Sequence, residues 1–393
     1  MLSFNVLNGT LKNLLRKPIA HDTFSRYPKL LSALKKIVLI AQGRFGFLKV
    51  ASLFAPLESS GLLEPVPVLV VREGDAGETE SLASVFGIEG RLRRVPLDPG
   101  SPASETAGLM LSFERLFVEI APDFIVPGGY DDAAVAATIT ATRMGIPVVS
   151  LDAGLRSHDR SEQEELNRLI IDSVAALHFV SEHSGVYNLI NEGFSDERIL
   201  FAGNTSIDSL VTLIGEANRS GVLSDLEVKP KKFATVLLSM PLRPETAANR
   251  DLLCKVLESL AATTTVLLPV DAVTDTGLQE VFGSVPGLRF VSRPGPVDLL
   301  RVLKESAFVL TDTDEFESEL TVMNVPCLTM RQSTARPSTI EIGTNVLVEF
   351  DGQEILERAS AILSGKKKGK ALIPEKWDGA SAKRIADVLE KAG

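Results

Sequence analysis

Short apolar runs alternate along the chain with segments whose apolar positions recur at helical spacing, and glycine or polar residues mark most junctions. The run at 36–41 breaks onto Gln42-Gly43-Arg44-Phe45-Gly46, and a helix is predicted from about Phe47. A second run at 66–71 leads to the polar loop Arg72-Glu73-Gly74-Asp75. Residues 95–105 read as a strand end plus a Pro/Gly/Ser loop, and 106–120 as an amphipathic helix. The run at 124–127 then stops at Gly128-Gly129, an alanine-rich helical pattern ends at Gly145, and the run at 146–151 breaks onto Asp152-Ala153-Gly154. Runs at 177–181 and 199–202 repeat the theme. Parallel strands built this way end in one row of loops, and ligands of such sheets sit beyond the carboxyl ends of the strands. Gly129, Tyr130, Asp152, Arg156, Ser181, Gly203, Asn204 and Thr205 are therefore expected at one site.

The polar stretch 221–232 reads as a linker, after which runs at 233–239, 264–270, 288–291 and 308–311 alternate with helices again. A chain of 393 residues with 45% apolar content exceeds what one core usually holds, so two α/β domains are expected.

Composition narrows the function. The net charge of −10, with no basic face interleaved with aromatics, argues against a nucleic-acid binder and leaves room for a small anion held by local arginines. Cys254 and Cys327 fit no metal spacing and suit a reducing cytoplasm. No apolar run reaches the length of a membrane span. Residues 1–35 carry Lys12, Arg16, Lys17, Arg26, Lys29 and Lys35 against Asp22 alone. That segment reads as a helical extension packed on the first domain, with a membrane-surface or protein-binding role as the alternative.

Three ordered motifs carry a resemblance: Asp152-Ala-Gly-Leu-Arg156, Glu164-Glu165-x-Asn167-Arg168 and Gly203-Asn-Thr-x-Ile-Asp208. They resemble the bacterial non-hydrolysing UDP-N-acetylglucosamine 2-epimerases, and Trp377-Asp378-Gly379 with Arg384-Ile385 is similar to that family's closing helix. The resemblance covers about residues 36–393. It implies two Rossmann-like domains facing a central cleft, the glycosyltransferase-B arrangement. The domains would be 36–222 and 223–376, preceded by the 1–35 extension, with 377–393 crossing back to the first domain. It also implies a UDP-sugar as ligand, a homodimer, and no metal or nicotinamide cofactor.

By the same resemblance, Arg44 and Lys49 face the nucleotide diphosphate, while Arg156, Arg243, Thr313, Glu319, Arg331 and Arg336 bind substrate, Glu319 on the ribose diol. Asp152, Glu164 and Tyr130 occupy the catalytic positions. Several positions depart from the family. Phe45 and Gly46 replace a proline and a glutamate, Tyr130 falls on an aspartate, and Asp152 replaces a glutamate. Met240-Pro241-Leu242-Arg243 keeps only one arginine of a histidine and two arginines, and Asp271 replaces another histidine. Thr313-Asp314-Glu315 stands where the family has serine and two glycines, so two carboxylates approach the diphosphate position unless turned away. Asp131 and Asp132 read as helix caps, since carboxylates suit a helix N-terminus. His178, between Leu177 and Phe179, reads as a core histidine, and His158 stands in a polar loop beside Arg156.

In the family, UDP is eliminated from UDP-N-acetylglucosamine to leave a 2-acetamidoglucal, and re-addition gives the UDP-N-acetylmannosamine epimer for surface polysaccharide synthesis. That needs a base at the sugar's second carbon, an acid for the return and positive charge for departing UDP. The cations are largely kept and the acid/base set is thinned. The alternatives are a repurposed UDP-sugar glycosyltransferase or hydrolase, and a non-catalytic UDP-sugar-binding protein.

Overall fold

A computed structural model describes residues 34–72, 76–238, 250–270, 275–366 and 371–392. The basic segment up to residue 33, loop residues Glu73, Gly74 and Asp75, the stretch holding Met240 and Arg243, Asp271, Lys367 and Lys368 lie outside the described residues. The described chain divides into two compact units. One holds the residues up to Ser209 together with those from Glu375 on, and the other is Leu210–Pro374. The division falls inside the helix Thr205–Ala217, upstream of the 221–232 stretch.

In the first unit the strands are β1 (Lys35–Gln42), β2 (Leu63–Arg72), β3 (Arg93–Leu97), β4 (Phe124–Pro127), β5 (Val149–Leu151), β6 (Leu177–Val180) and β7 (Ile199–Phe201). They pair in the orders β3-β2-β1-β4 and β5-β6-β7, all parallel, and a parallel bridge between Ile125 and Val148 joins the two sets. Parallel strands covered by helices on both faces are apolar throughout rather than alternating. Accordingly Ile37, Val38, Leu39, Ile40 and Ala41 are all buried. Phe113 and Phe117 of the helix Pro102–Ile120, with Ala133, Ala136 and Ala137 of the helix Asp132–Arg143, pack against Val38, Ile40, Val68 and Ile125.

Two helices begin earlier than the sequence suggests. Gly43–Ser59 follows β1 without a loop, and Pro102–Ile120 starts inside the stretch read as loop. Pro102 occupies the first turn, where its missing N–H costs nothing, and the Ser101 side chain accepts from the Ser104 N–H as cap.

The second unit is built likewise from β8 (Phe233–Leu237), β9 (Thr265–Val270), β10 (Leu288–Ser292), β11 (Val309–Thr311), β12 (Cys327–Thr329) and β13 (Asn345–Leu347). Their order is β10-β9-β8-β11-β12-β13, again all parallel. In both sheets the order reverses between the first strand and the fourth, so the switch points lie between β1 and β4 and between β8 and β11. Loops at such points are where doubly wound sheets place ligands.

The C-terminal residues of the first unit are tied to the ends of β6 and β7. Trp377 Nε1 donates to Ser181 O at 2.8 Å, Lys376 Nζ to Phe201 O at 2.6 Å, and Ala382 N to Asp208 Oδ1 at 2.8 Å. Gly203 has φ +99°, and a Cβ there would lie 2.2 Å from Lys376 O, so only glycine admits this chain crossing. Among the described residues no helix is long and apolar enough to cross a membrane.

Candidate active site

The switch point of the first sheet carries a pocket of about 200 Å³ lined by Gln42, Arg72, Leu97, Tyr130, Asp131 and Asp132 from the strand ends, by Glu105 and Leu109, and by Gln163, Glu164 and Asn167. Gly128 lets it form: a Cβ there would lie 2.3 Å from Gly46 O, so the helix Gly43–Ser59 could not close over the end of β4.

Asp131 is the cap of the helix Asp132–Arg143, with Oδ1 accepting from Ala134 N at 2.8 Å. A Cβ on Gly129 would lie 2.9 Å from Oδ2, which places that oxygen against the bare Gly128-Gly129 turn. Burial pushes the Asp131 carboxyl up to about 6, against the pull of the Ala134 N–H and of Lys49, and the charges of Asp132 and Glu164 push the same way as burial. The residue keeps some accessible surface, which it shares with the pocket. The sequence reading of a cap is right for Asp131, and it missed a carboxyl displaced toward neutrality. Two adjacent aspartates at a strand's carboxyl end were the available signal.

Tyr130, next to it, is held differently. Its hydroxyl faces the carbonyls of Leu151 and Asp152 at 3.1 and 3.0 Å, and its own carbonyl accepts from Asn167 Nδ2 at 2.6 Å. Lys49 Nζ lies 4.5 Å from the ring centroid and the Arg168 guanidinium 4.8 Å. A phenol aimed at backbone acceptors, with two cations over its ring, works as a pillar between the ends of β4 and β5.

Lys49 and Asp152 form an ion pair at 2.9 Å with side chains 1% and 2% exposed. Asp152 takes φ 52°, the left-handed region, at the turn after β5. Glu165 accepts from Ser157 N at 2.9 Å and His158 N at 3.2 Å and pairs with Arg168 at 3.4 Å. Glu164, exposed at the pocket wall, pairs with Arg168 at 3.2 Å. The Glu-Glu-x-Asn-Arg motif thus anchors the 157–158 turn and Tyr130 while presenting one carboxylate to the pocket.

Arg156 stands apart from that wall. Its Nη1 meets Asp172 Oδ2 at 2.8 Å, and its Nε and Nη2 meet the Glu192 carboxylate at 2.8 and 2.7 Å. Asp172 also accepts from Ser150 Oγ at 2.7 Å and Gly154 N at 2.9 Å. This guanidinium is engaged by fold carboxylates that the sequence motif does not reveal. His178 is wholly buried with Nε2 2.8 Å from Asp172 O, and burial pushes its pKa down, so it is a neutral core histidine.

Arg44 lies in the first turn of the helix Gly43–Ser59, at the mouth of the same switch point. In the second unit, Thr313 and Glu319 follow β11 and Arg331 and Arg336 follow β12. Asp314, one of the two carboxylates expected to approach a diphosphate, is turned onto Arg331 at 3.4 Å, which neutralises it. Glu319 and Arg336 are buried. Beneath them Glu317, fully buried, accepts from Thr329 Oγ1 at 3.1 Å and Thr334 Oγ1 at 2.6 Å, and burial with the charge of Asp314 pushes it up to about 7. Arg336 N donates to Thr334 Oγ1 at 3.1 Å, so this buried network fixes the loop that carries Arg336. Among the described residues no group of three or more His, Cys, Asp or Glu side chains could hold a metal ion.

A family model described as UDP-N-acetylglucosamine 2-epimerase matches residues 85–390. Over 304 residues, 74% of this chain and 83% of the relative, the sequence is 26% identical to a UDP-N-acetylglucosamine 2-epimerase of Methanococcus maripaludis. Over 365 residues, 91% of this chain and 99% of the relative, it is 24% identical to a UDP-2,3-diacetamido-2,3-dideoxy-D-glucuronate 2-epimerase of Pseudomonas aeruginosa. The structure of UDP-GlcNAc 2-epimerase from Neisseria meningitidis bound to UDP-GlcNAc has a TM-score of 0.83 at 20% identity, covering 91% of this chain and 100% of that one. That likeness is one of fold, and it agrees with the α/β class of two Rossmann-like domains expected from the sequence.

Proposed function

This chain belongs to the UDP-N-acetylglucosamine 2-epimerase family, and from that premise we propose that it inverts the second carbon of a UDP-2-acetamido sugar by eliminating and re-adding UDP. The observation that carries the reading is the family match itself, which takes in the loops after β4 to β7 and the whole of the second unit.

The chemistry is redox-neutral. A base removes the proton from C2, the C–H electron pair becomes the C1=C2 bond of the glucal, and the C1–O bond breaks with its pair leaving on UDP. Addition of UDP to the glucal with protonation of C2 from the other face gives the epimer. Positive charge stabilises the departing diphosphate. Arg44 at the first switch point, and Arg331 and Arg336 beyond β12, are suited to that work, with Glu319 accepting from the ribose hydroxyls. Lys49 acts through Asp152 and Tyr130, holding the end of β5 against the end of β4. Glu164 supplies a carboxylate at the pocket wall.

The pairing of Asp314 with Arg331 supports nucleotide binding, because one of the two carboxylates that would repel a diphosphate is already neutralised, and the other, Glu315, is exposed to solvent. The product of such a reaction serves surface polysaccharide assembly. Incubation with UDP-N-acetylglucosamine and, separately, with UDP-2,3-diacetamido-2,3-dideoxyglucuronate, followed by chromatographic separation of epimers, tests the reading. An equilibrium mixture of two UDP-sugars is expected from one of them. Release of free sugar without an epimer identifies a hydrolase, and binding of UDP with no change in either sugar identifies a non-catalytic protein.

A further inference from the structure

We infer that Asp131 is the carboxylate that exchanges a proton with the sugar's second carbon, in place of position 130, which holds a tyrosine. The inference rests on the epimerase reading above and names the group that performs its proton step. Three observations lead to it. Asp131 lines the switch-point pocket together with Glu164. Its Oδ1 is taken by the helix cap, while among the described residues Oδ2 receives no hydrogen bond and lies against Gly129 and Gly46, which have no side chain to set against it. Tyr130 cannot do the job, since its hydroxyl is turned to the Leu151 and Asp152 carbonyls. The charged neighbours of Asp131 are Asp132 and Glu164, which hold a proton on it, and Lys49, which opposes them; with burial they leave it near pH 6, where a carboxyl both takes and returns a proton readily.

In the elimination direction Asp131 Oδ2 accepts the C2 proton as the C1=C2 bond forms and UDP leaves. In the reverse direction the protonated carboxyl gives that proton to C2 of the glucal as a UDP oxygen bonds to C1. One carboxyl thereby serves one face of the sugar, and a second group, for which Glu164 is placed, serves the other.

The Asp131→Asn variant tests this, because asparagine caps a helix as well as aspartate does and keeps the fold. In D₂O with the turned-over UDP-sugar, the variant is expected to incorporate deuterium at C2 about 10²- to 10⁴-fold more slowly than the wild type. Its melting temperature near pH 3.5, where both side chains are neutral, and its affinity for UDP are expected to stay close to wild type. The acid limb of the wild-type kcat/KM profile, near pH 6, should disappear from whatever activity remains. Wild-type exchange with an equally fast variant overturns the assignment and leaves the epimerase reading intact. A variant whose UDP affinity falls by the same factor as its exchange rate also overturns it, since that marks a purely structural residue. A wild type that exchanges C2 with none of the UDP-sugars overturns the underlying reading, and the proton role with it.

Discussion

Lys49 Nζ and Asp152 Oδ2 lie 2.9 Å apart with both side chains shut away from water, and the rings of Phe45 and Tyr130 stand 4.9 and 4.5 Å from the same ammonium. A buried ion pair contributes little net stability over an apolar pair, yet removing one partner strands the other charge in the interior. Lys49→Met is therefore expected to lower the unfolding free energy by about 3–5 kcal/mol. Urea denaturation measures it. A loss below about 1 kcal/mol means that the pair is not buried as described.

Under the proposed function Arg156 is a scaffold arginine and Arg336 a ligand arginine. Arg156→Leu leaves Asp172 and Glu192 without their shared cation and should destabilise the protein by about 3–5 kcal/mol. Its UDP affinity, measured by calorimetry below the melting range, should change less than about twofold. Arg336→Leu should instead weaken UDP binding by about tenfold or more, equivalent to about 1.4 kcal/mol. Interchanged phenotypes would reverse the two assignments.

The Asp131 carboxyl also predicts a pH-dependent stability difference. Its folded pKa is raised from 3.8 to about 6, so the folded state holds the proton more tightly than the unfolded chain. The associated stabilisation is fully present below the unfolded value and is lost as pH rises through about 6. At pH 8 Asp131→Asn should thus be more stable than wild type, by on the order of 1–3 kcal/mol once its partial exposure is allowed for. Near pH 3.5 the two should melt alike. Equal melting at both pH values would show that the carboxyl is not displaced.

Glu317 makes the same kind of prediction for the second unit. Burial and Asp314 raise it from 4.5 to about 7, so its contribution is present at low pH and lost as pH climbs through neutrality. Glu317→Gln should flatten the fall in stability between pH 5 and 8, which circular dichroism melts will follow. Glu317→Ala leaves the Thr334 hydroxyl without its acceptor, removes one of the two acceptors of the Thr329 hydroxyl and opens a cavity, at a cost of about 2–4 kcal/mol.

Much of the architecture could be read in advance because buried parallel strands are apolar runs that stop at glycine or at a polar residue. Phe124–Pro127 before Gly128 and Leu177–Val180 before Ser181 are of this kind. The strands Cys327–Thr329 and Asn345–Leu347 are not among the runs read from the sequence. Motif residues were harder. Arg156 and Asp172 are sixteen positions apart and their bond depends on how the turn after β5 is folded, which spacing does not encode. The sequence places Tyr130 just past a strand end, while the direction of its hydroxyl is set by the carbonyls of Leu151 at the end of β5 and Asp152 in the turn after it. Asp131 looked like an ordinary cap because a cap is visible in sequence and burial is not.

The most direct test of the central claim is proton NMR of the wild-type protein with a UDP-2-acetamido sugar in D₂O. The C2 proton should vanish from the substrate pool while a second set of anomeric signals grows to a constant ratio. A nucleotide sugar that binds and keeps its C2 proton through many hours would contradict the claim.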